Sequence, residues 1–362
     1  MKTKKSELLA IILFCGFVFG MMLCYILLPK SEFSEAEKRY LAETPALSWE
    51  SVSSGDWGDE AETYMADHIP GRNFFVGLNA YYDLLTGRQL SKDIWVTDDR
   101  LVEAPVDEDA AAIRKNMSTI NAFADTIGQT VDITIVPSAG WAAGLDGYED
   151  SAIIDEIYAS AGERLNTIDL VSVLDGKPEL FFKTDHHWNS DGAYAAYTAL
   201  MNDLGRAYMP SEDFDKAVYA QFQGSTYSRS ALWLTHAEDL ELWFGSDNLT
   251  VTNGESEATH DGVFYWEQLE EADKYTVFLD GNHSIVRIQN PSAEGKLLVI
   301  RDSYSNSLGC FLAESYGEVV LIDLRYYKQP VSELVAQEGF DDILVCYSIG
   351  NFLTDANIIW LR

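Results

Sequence analysis

The sequence predicts an α/β fold built on a parallel sheet, and three observations carry that prediction. With 362 residues, 47% of them apolar, the chain has enough apolar surface for one large core or two modest ones. Apolar runs at residues 131–136, 296–301, 318–322 and 342–347 lack the alternation of a half-solvated strand, so both faces of each are expected to be covered. Helix-patterned stretches at 107–128, 305–316 and 331–338 precede or separate these runs, the order that crossover connections produce.

In chain order, Lys2, Lys4 and Lys5 lead into residues 8–28, twenty-one positions without a charge, and about twenty apolar residues in a helix span a hydrocarbon core. One transmembrane helix is expected, with its basic end inside and the remainder exported. An uncleaved anchor at residues 1–30 is favoured over a cleaved signal peptide. The run is longer than a signal's apolar region, and no small-x-small site follows before Pro29 and Lys30. A lipoprotein is disfavoured because Cys15 follows Phe14 and Cys24 follows Leu23, where a small residue is needed.

Residues 31–90 are polar and helix-prone, with apolar stripes from Trp49, Trp57, Tyr64 and residues 74–82, the pattern of a membrane-proximal helical arm. His68, Pro70 and Arg72 are expected to dock that arm. Residues 91–362 read as the α/β domain. It opens with a hairpin signal, Ile94-Trp95-Val96 before the polar turn Thr97-Asp98-Asp99-Arg100. At about 208–290 the regular alternation gives way to an insertion rich in aromatics, Gly and Asn, with apparent strands at 275–279 and 285–288, expected to shape a groove.

Fifty-eight acidic against 25 basic side chains give a formal charge of −33, which excludes a partner held by phosphate contacts and hence a nucleic-acid role. Residues 31–362 alone carry 57 acids and 21 bases, a formal −36, which keeps an exported domain soluble and repels anionic surfaces. Outside the expected span lie only Cys310 and Cys346, both in apolar contexts, and these read as buried free thiols rather than a disulfide. The six His show no CxxC or HExxH spacing, so neither a metal centre nor a cofactor is expected.

Two distant segments carry chemistry. Lys183-Thr184-Asp185-His186-His187-Trp188-Asn189-Ser190-Asp191-Gly192 precedes a helical pattern at 193–204. Capping of that helix accounts for Asn189, Ser190 or Asp191, but not for an Asp beside two His and a Trp. A carboxylate two residues before an imidazole can fix its tautomer and leave the other ring nitrogen free to take a proton. The second segment, Leu297-Leu298-Val299-Ile300-Arg301-Asp302-Ser303-Tyr304-Ser305-Asn306, runs from an apolar strand through a polar turn into a helix. Ser303 then sits at the carboxyl edge of the sheet beside a helix N-terminus, whose N–H groups stabilise an oxyanion. The alternative is an ordinary N-cap serine.

TDHHWN followed by SDGAY, then RDSYSNS and IDLRYY, with FSEAEKRYLA and DHIPGR earlier, resemble the DHHW-motif proteins, relatives of the bacterial alginate O-acetyltransferase group with an SGNH-hydrolase-like (flavodoxin-like) fold. The resemblance runs from about residue 32 to the C-terminus. It implies a Ser-His-Asp triad of Ser303, His187 and Asp185, the last two as a D-x-H pair. An ordinary SGNH hydrolase begins with its Ser block, so the order here implies a circularly permuted domain. The turn after Tyr347 then holds Asn351, where that superfamily places an oxyanion donor. The turn after Ile322 offers no Gly, so Arg325 or Tyr326 is expected to stand in.

Trp188 packs over the triad or forms a sugar-stacking wall, packing being favoured. His186 is structural or an alternative base. Gly281-Asn282-His283 is a tight turn or places Asn282 as a ligand donor. His236 and His260 are read as surface residues. The resemblance implies acetyl transfer to a cell-surface polysaccharide from a membrane-anchored, extracytoplasmic domain, partnered by a multi-pass membrane acyltransferase that supplies acetyl. A carbohydrate esterase with the same triad, and a polysaccharide-binding or assembly protein, are the alternatives.

Overall fold

The chain divides into two units, residues 1–91 with 228–234, and residues 92–227 with 235–362. A computed structural model describes residues 2–34, 36–254, 256 and 258–362. Glu35 of the FSEAEKRYLA segment lies outside the described residues, as do the side chains of Lys2 and Lys4.

In the first unit, helix α1 (Lys2–Leu27) follows from an unbroken apolar composition. Its stretch Lys5–Leu27 is long and apolar enough to cross a membrane, and none of its residues is buried, so it is not a core helix. Helices α2 (Asp56–Asp67) and α3 (Arg72–Leu85) are joined across Gly71, whose φ of 72° supplies the left-handed residue the turn needs. Asp67 receives the Arg39 guanidinium at 2.6 and 3.0 Å and the Ala42 N–H at 2.9 Å. Those bonds, with the Arg39 one foremost, outweigh partial burial and hold the carboxyl down to about 2. His68 Nε2 contacts the Ala42 carbonyl at 3.0 Å, and Arg72 bonds Glu37, so both tie the helices of the arm to the segment at residues 37–42. Trp233, from the returning segment, lies on Gly77, where a Cβ would come within 1.8 Å of the indole.

The second unit is a layered α/β structure. The elements that build its main sheet and flank the site are, in chain order, α4 (Ala110–Ile127), β1 (Val131–Val136), β2 (Leu165–Thr167), α5 (Ser190–Asp203), β3 (Thr250–Asn253), β4 (His260–Asp261), β5 (Ile285–Gln289), β6 (Lys296–Arg301), α6 (Ser305–Leu312), β7 (Glu318–Ile322), α7 (Val331–Glu338) and β8 (Asp342–Ser348). One eight-stranded sheet runs β4-β3-β5-β7-β6-β8-β1-β2. The pairs β7–β6, β6–β8, β8–β1 and β1–β2 are parallel; β4–β3, β3–β5 and β5–β7 are antiparallel. The parallel strands therefore lie together, and strands from the 208–290 region extend the sheet on one side.

Strand β6 shows why its apolar run has no alternation. Leu297 and Val299 enter one core with α5 and α6, whereas Leu298 and Ile300 enter the other with α4 and α7. The hairpin expected near residue 94 forms, with Ile94–Val96 against Leu101–Glu103 and the Thr97 N–H on the Arg100 carbonyl at 3.0 Å. The strand expected at 275–279 does not. Residues Lys274–Val277 form a short 3₁₀ turn, and only an isolated bridge joins Phe264 to Phe278. Three successive left-handed residues, Leu279, Asp280 and Gly281, end any extended run there. Cys310 and Cys346 are separate buried thiols, and burial pushes the Cys346 thiol up to about 12.

Because both faces of β6 are filled, Leu298→Ala is expected to lower stability by about 3 kcal/mol, read as a lower urea midpoint by circular dichroism with the denaturant slope unchanged.

Candidate active site

Residues 181–188 form a closed loop. Phe181 bridges Trp188, the Phe182 N–H bonds the His187 carbonyl at 3.2 Å, and the Asn189 N–H bonds the Leu180 carbonyl at 3.0 Å. At the tip, Asp185 Oδ1 accepts the His187 backbone N–H at 3.0 Å and lies 2.5 Å from His187 Nδ1. The D-x-H spacing works because an Asp side chain readily bonds the backbone two residues on. Asn189 then caps α5, accepting the Gly192 N–H at 3.0 Å. A Cβ on Gly192 would sit 2.2 Å from the Leu180 carbonyl oxygen, so the loop can close on the helix only over a glycine.

Strand β6 delivers the second segment. Beyond Arg301 the chain turns through Asp302, Ser303 and Tyr304 into α6. Asp302 is almost fully buried. Its Oδ1 accepts the Tyr304 N–H at 3.0 Å, and its Oδ2 accepts the Ser348 N–H, the Ser348 hydroxyl and the Asn351 amide at 2.8, 2.6 and 2.8 Å. The carboxylate thus ties the end of β6 to the end of β8. Ser303 Oγ lies 2.8 Å from His187 Nε2, which completes a line Asp185–His187–Ser303 in which no residue exceeds 8% exposure. Among the described residues, none accepts the Ser303 backbone N–H.

Cross-links hold the two segments in register. The Trp188 indole N–H donates to the Tyr304 carbonyl at 3.1 Å and to Ser307 Oγ at 3.0 Å, and the Tyr304 hydroxyl donates to the His186 carbonyl. Trp188 has no exposed ring face, so it packs, and no sugar can stack on it. Tyr275 lies flat on the His187 ring, centroids 3.9 Å apart and planes 3° from parallel, with its hydroxyl bonded to Ser307 Oγ at 3.2 Å.

Burial, helped by the neighbouring His186, pulls His187 below the ordinary imidazole value against the opposing pull of Asp185. Burial opposes the ionisation of Asp185. The His187 and His186 rings, the His187 hydrogen bond and the Ser225 N–H nevertheless hold it well below the usual carboxylate range. A neutral His187 beside an ionised Asp185 is the state in which Nε2 can take the Ser303 proton. Asp185, His186 and His187 also present ligand atoms within 4.8 Å of one another. Those atoms already have protein partners: Asp185 Oδ2 accepts the Ser225 N–H at 2.6 Å, and His186 Nδ1 lies 2.6 Å from Ser225 Oγ.

The remaining sequence-derived residues lie around this line. Asn351 donates to Asp302, Arg325 forms a two-pronged bond to Asp323 at 2.9 and 2.6 Å, and Tyr326 is exposed. Asn282 Oδ1 accepts from Arg301 and Asn306. Sequence reasoning missed the support behind Asp185. Gly224 presses so closely that a Cβ would be 2.2 Å from Asp185 Cβ. Glu238 accepts the Lys183 and Thr184 N–H groups at 2.8 and 2.7 Å. The Gly-Ser pair at 224–225 was the only local signal. Tyr275 gave none, because its partner is 88 positions away.

Three outcomes follow from this geometry. With His187 held below 6.5, its base-competent form persists on mild acidification, so sulfonyl-fluoride labelling of Ser303 is expected to stay level from pH 7.5 to below 6.5 before falling. The unfolded chain takes up that proton at ordinary imidazole pH while the folded chain does not, so stability falls as pH drops below about 6.5. Gly224→Ala is expected to displace Asp185 and slow labelling about 10²-fold, measured by intact-mass spectrometry, with the circular dichroism spectrum unchanged.

Comparison with known proteins agrees with this architecture. The model of the family described as DHHW protein matches residues 173–322. A DHHW family protein from Eubacterium siraeum is 19% identical over 75% of this chain and 95% of its own, with a TM-score of 0.64. PatB1 from Bacillus cereus, in a structure with a sulfonyl adduct, is 20% identical over 74% and 98%, with a TM-score of 0.63. The O-acetyltransferase domain of Pseudomonas putida AlgJ is more distant, 15% identical over 72% and 92%, with a TM-score of 0.43. A search of curated proteins finds no match. The match to the DHHW protein family model therefore covers residues 173–322, which hold Asp185, His187 and Ser303, and the fold is similar to that of a DHHW family protein of known structure.

Proposed function

We propose that this protein is an O-acetyltransferase that works through an acyl-enzyme on Ser303, with His187 as general base and Asp185 orienting it. The observation that carries the reading is the line Asp185–His187–Ser303, at 2.5 and 2.8 Å, set at the carboxyl edge of a parallel sheet. His187 Nε2 removes the Ser303 proton as Oγ bonds the acetyl carbon of a donor ester. The donor's C–O bond breaks, and its oxygen leaves with the proton held on His187. An acceptor hydroxyl, deprotonated by His187, then takes the acetyl group and releases Ser303, which regains its proton. The Ser303 N–H is available to the oxyanion in both halves.

The acceptor class follows from the motif resemblance: a hydroxyl of a cell-surface polysaccharide. α1 serves in this reading as the anchor that holds the domain at the outer membrane face, beside a multi-pass acyltransferase that supplies acetyl. The strand order β7-β6-β8-β1-β2, with its last two strands, β1 and β2, placed first in the chain, is the arrangement a circularly permuted SGNH-like domain would have. Hydrolysis uses the same residues with water as acceptor, so the acceptor decides between transferase and esterase. Incubating the full-length protein in detergent with 4-nitrophenyl acetate, with and without an oligosaccharide, is expected to yield acetylated sugar. Ser303→Ala is expected to lose at least about 10³-fold in rate. Acetate release indifferent to the oligosaccharide would make the protein an esterase, and an unchanged rate in Ser303→Ala would end the acyl-enzyme reading.

A further inference from the structure

Arg301 is fully buried, yet its Nε and Nη2 have no hydrogen-bond partner. Its Nη1 bonds Asn282 Oδ1 at 2.8 Å and the Asp302 carbonyl at 3.3 Å, and comes only to 4.0 Å from Asp323 Oδ2. A guanidinium has donors and no acceptor. The Asn282 atom facing it must therefore be the oxygen, and Asn306 Nδ2 reaches the same oxygen at 3.1 Å. Both contacts turn the Asn282 NH₂ group outward. Among the described residues nothing accepts its hydrogens, and the residue is exposed.

The backbone that delivers Asn282 is strained. Leu279, Asp280 and Gly281 have φ of 59°, 61° and 78°, and Leu279 does so while fully buried. Such conformations persist where the surroundings impose them, and they cluster at functional sites. Here the Leu279 N–H bonds the Val263 carbonyl at 3.1 Å, and Gln268 Nε2 bonds Asp280 Oδ1 at 2.6 Å. Asn282 leads into β5, which runs antiparallel to β7 from Ile285 opposite Ile322. It therefore stands at the carboxyl edge of the parallel strands, the same edge as Ser303. Asn306, which it contacts, lies one turn from the nucleophile, with its N–H on the Ser303 carbonyl at 3.1 Å. Of the other candidate donors at this edge, the Tyr304 N–H is spent on Asp302, and Asn351 and Arg325 each commit part of their N–H groups to a carboxylate, Asp302 and Asp323.

We propose that the Asn282 amide is the second donor, after the Ser303 N–H, to the oxyanion formed on attack by Ser303, and that Arg301 is the positioning residue that fixes which way this amide faces. The inference rests on the acyl-enzyme reading above. As Ser303 Oγ bonds the acyl carbon, the carbonyl π pair moves onto its oxygen and the Ser303 proton goes to His187, so an aimed neutral N–H stabilises that oxyanion until it collapses and expels the donor oxygen, without any further proton transfer.

The test compares substitutions that separate donation from structural support, on the full-length protein in detergent. Asn282→Ala is expected to lower kcat for 4-nitrophenyl acetate about 10²-fold, with KM little changed. Asn282→Asp keeps an oxygen for Arg301 but has no N–H and adds negative charge. It is expected to fall at least as far as Asn282→Ala while melting no lower. Arg301→Lys, which still donates to Asn282, is expected to retain more activity than Arg301→Met. Wild-type rates in Asn282→Ala, or recovery of them in Asn282→Asp, overturn the proposal, because each reduces Asn282 to a partner for Arg301. Equal wild-type rates in both Arg301 variants overturn the positioning role. Labelling with phenylmethanesulfonyl fluoride forms an Oγ–S bond, expels fluoride and sends the serine proton to His187. Wild-type Ser303 that takes no label overturns the acyl-enzyme reading and this inference with it. A labelled wild type with indifferent Asn282 variants overturns the inference alone.

Discussion

His187 Nε2 and Ser303 Oγ meet at 2.8 Å across 116 intervening steps of chain, and that contact depends on one buried indole. Trp188 follows His187 directly and donates its indole N–H to the Tyr304 carbonyl in the turn and to Ser307 Oγ in the first turn of α6. The Tyr304 hydroxyl returns the link to the His186 carbonyl, so each segment holds the other by a side chain adjacent to its reactive residue. Bringing such distant segments together costs loop-closure entropy. The sheet offsets most of it, because β6 is fixed between β7 and β8 and α5 packs in the same core as α6. The indole link then sets the last ångström, the scale on which proton transfer depends.

The same burial that aligns the site makes it electrostatically demanding. Asp185, Asp302, Asp323 and Arg301 are all at 1% exposure or less. Isolated charges in such surroundings would be strongly disfavoured. Three of them escape through dense hydrogen bonding: Asp185 to His187 and Ser225, Asp302 to four donors from β8, the turn and Asn351, and Asp323 to Arg325. Arg301 is the exception, with two N–H groups unmet. Low dielectric around His187 favours its neutral form, and the carboxylate behind it compensates once it is protonated. Rigidity and reactivity here have one cause, the exclusion of water from a polar network.

Much of this was legible beforehand. Residues 184–189 and 301–307 stood out because polar residues concentrated at strand and helix ends exceed what capping requires. Spacing within each segment also encoded local geometry, since an Asp reaches the backbone and ring of the second residue on. The apolar run of β6 announced a strand covered on both faces. Residues 275–279 read as a strand because an aromatic, β-prone stretch has strand propensity, and the first left-handed residue that ends it is a Leu, which carries no turn signature, while the turn signal of Asp280 and Gly281 comes only after the run. Gly224 was passed over because a lone glycine in a loop is ordinary; its meaning lies in the approach of Asp185, 39 positions earlier.

By itself the sequence determined the element types, the apolar helix at the start, and the two polar segments that hold the proposed base and nucleophile. These are set by composition and by periodicities a few residues long. Only the tertiary structure decided that Asn351 and Arg325 serve carboxylates, that Trp188 is sealed, and that the Asn282 amide faces outward. The physical reason is that a donor's direction depends on which acceptor stands beside it, and at this site those neighbours come from strands distant in the chain and adjacent in the sheet.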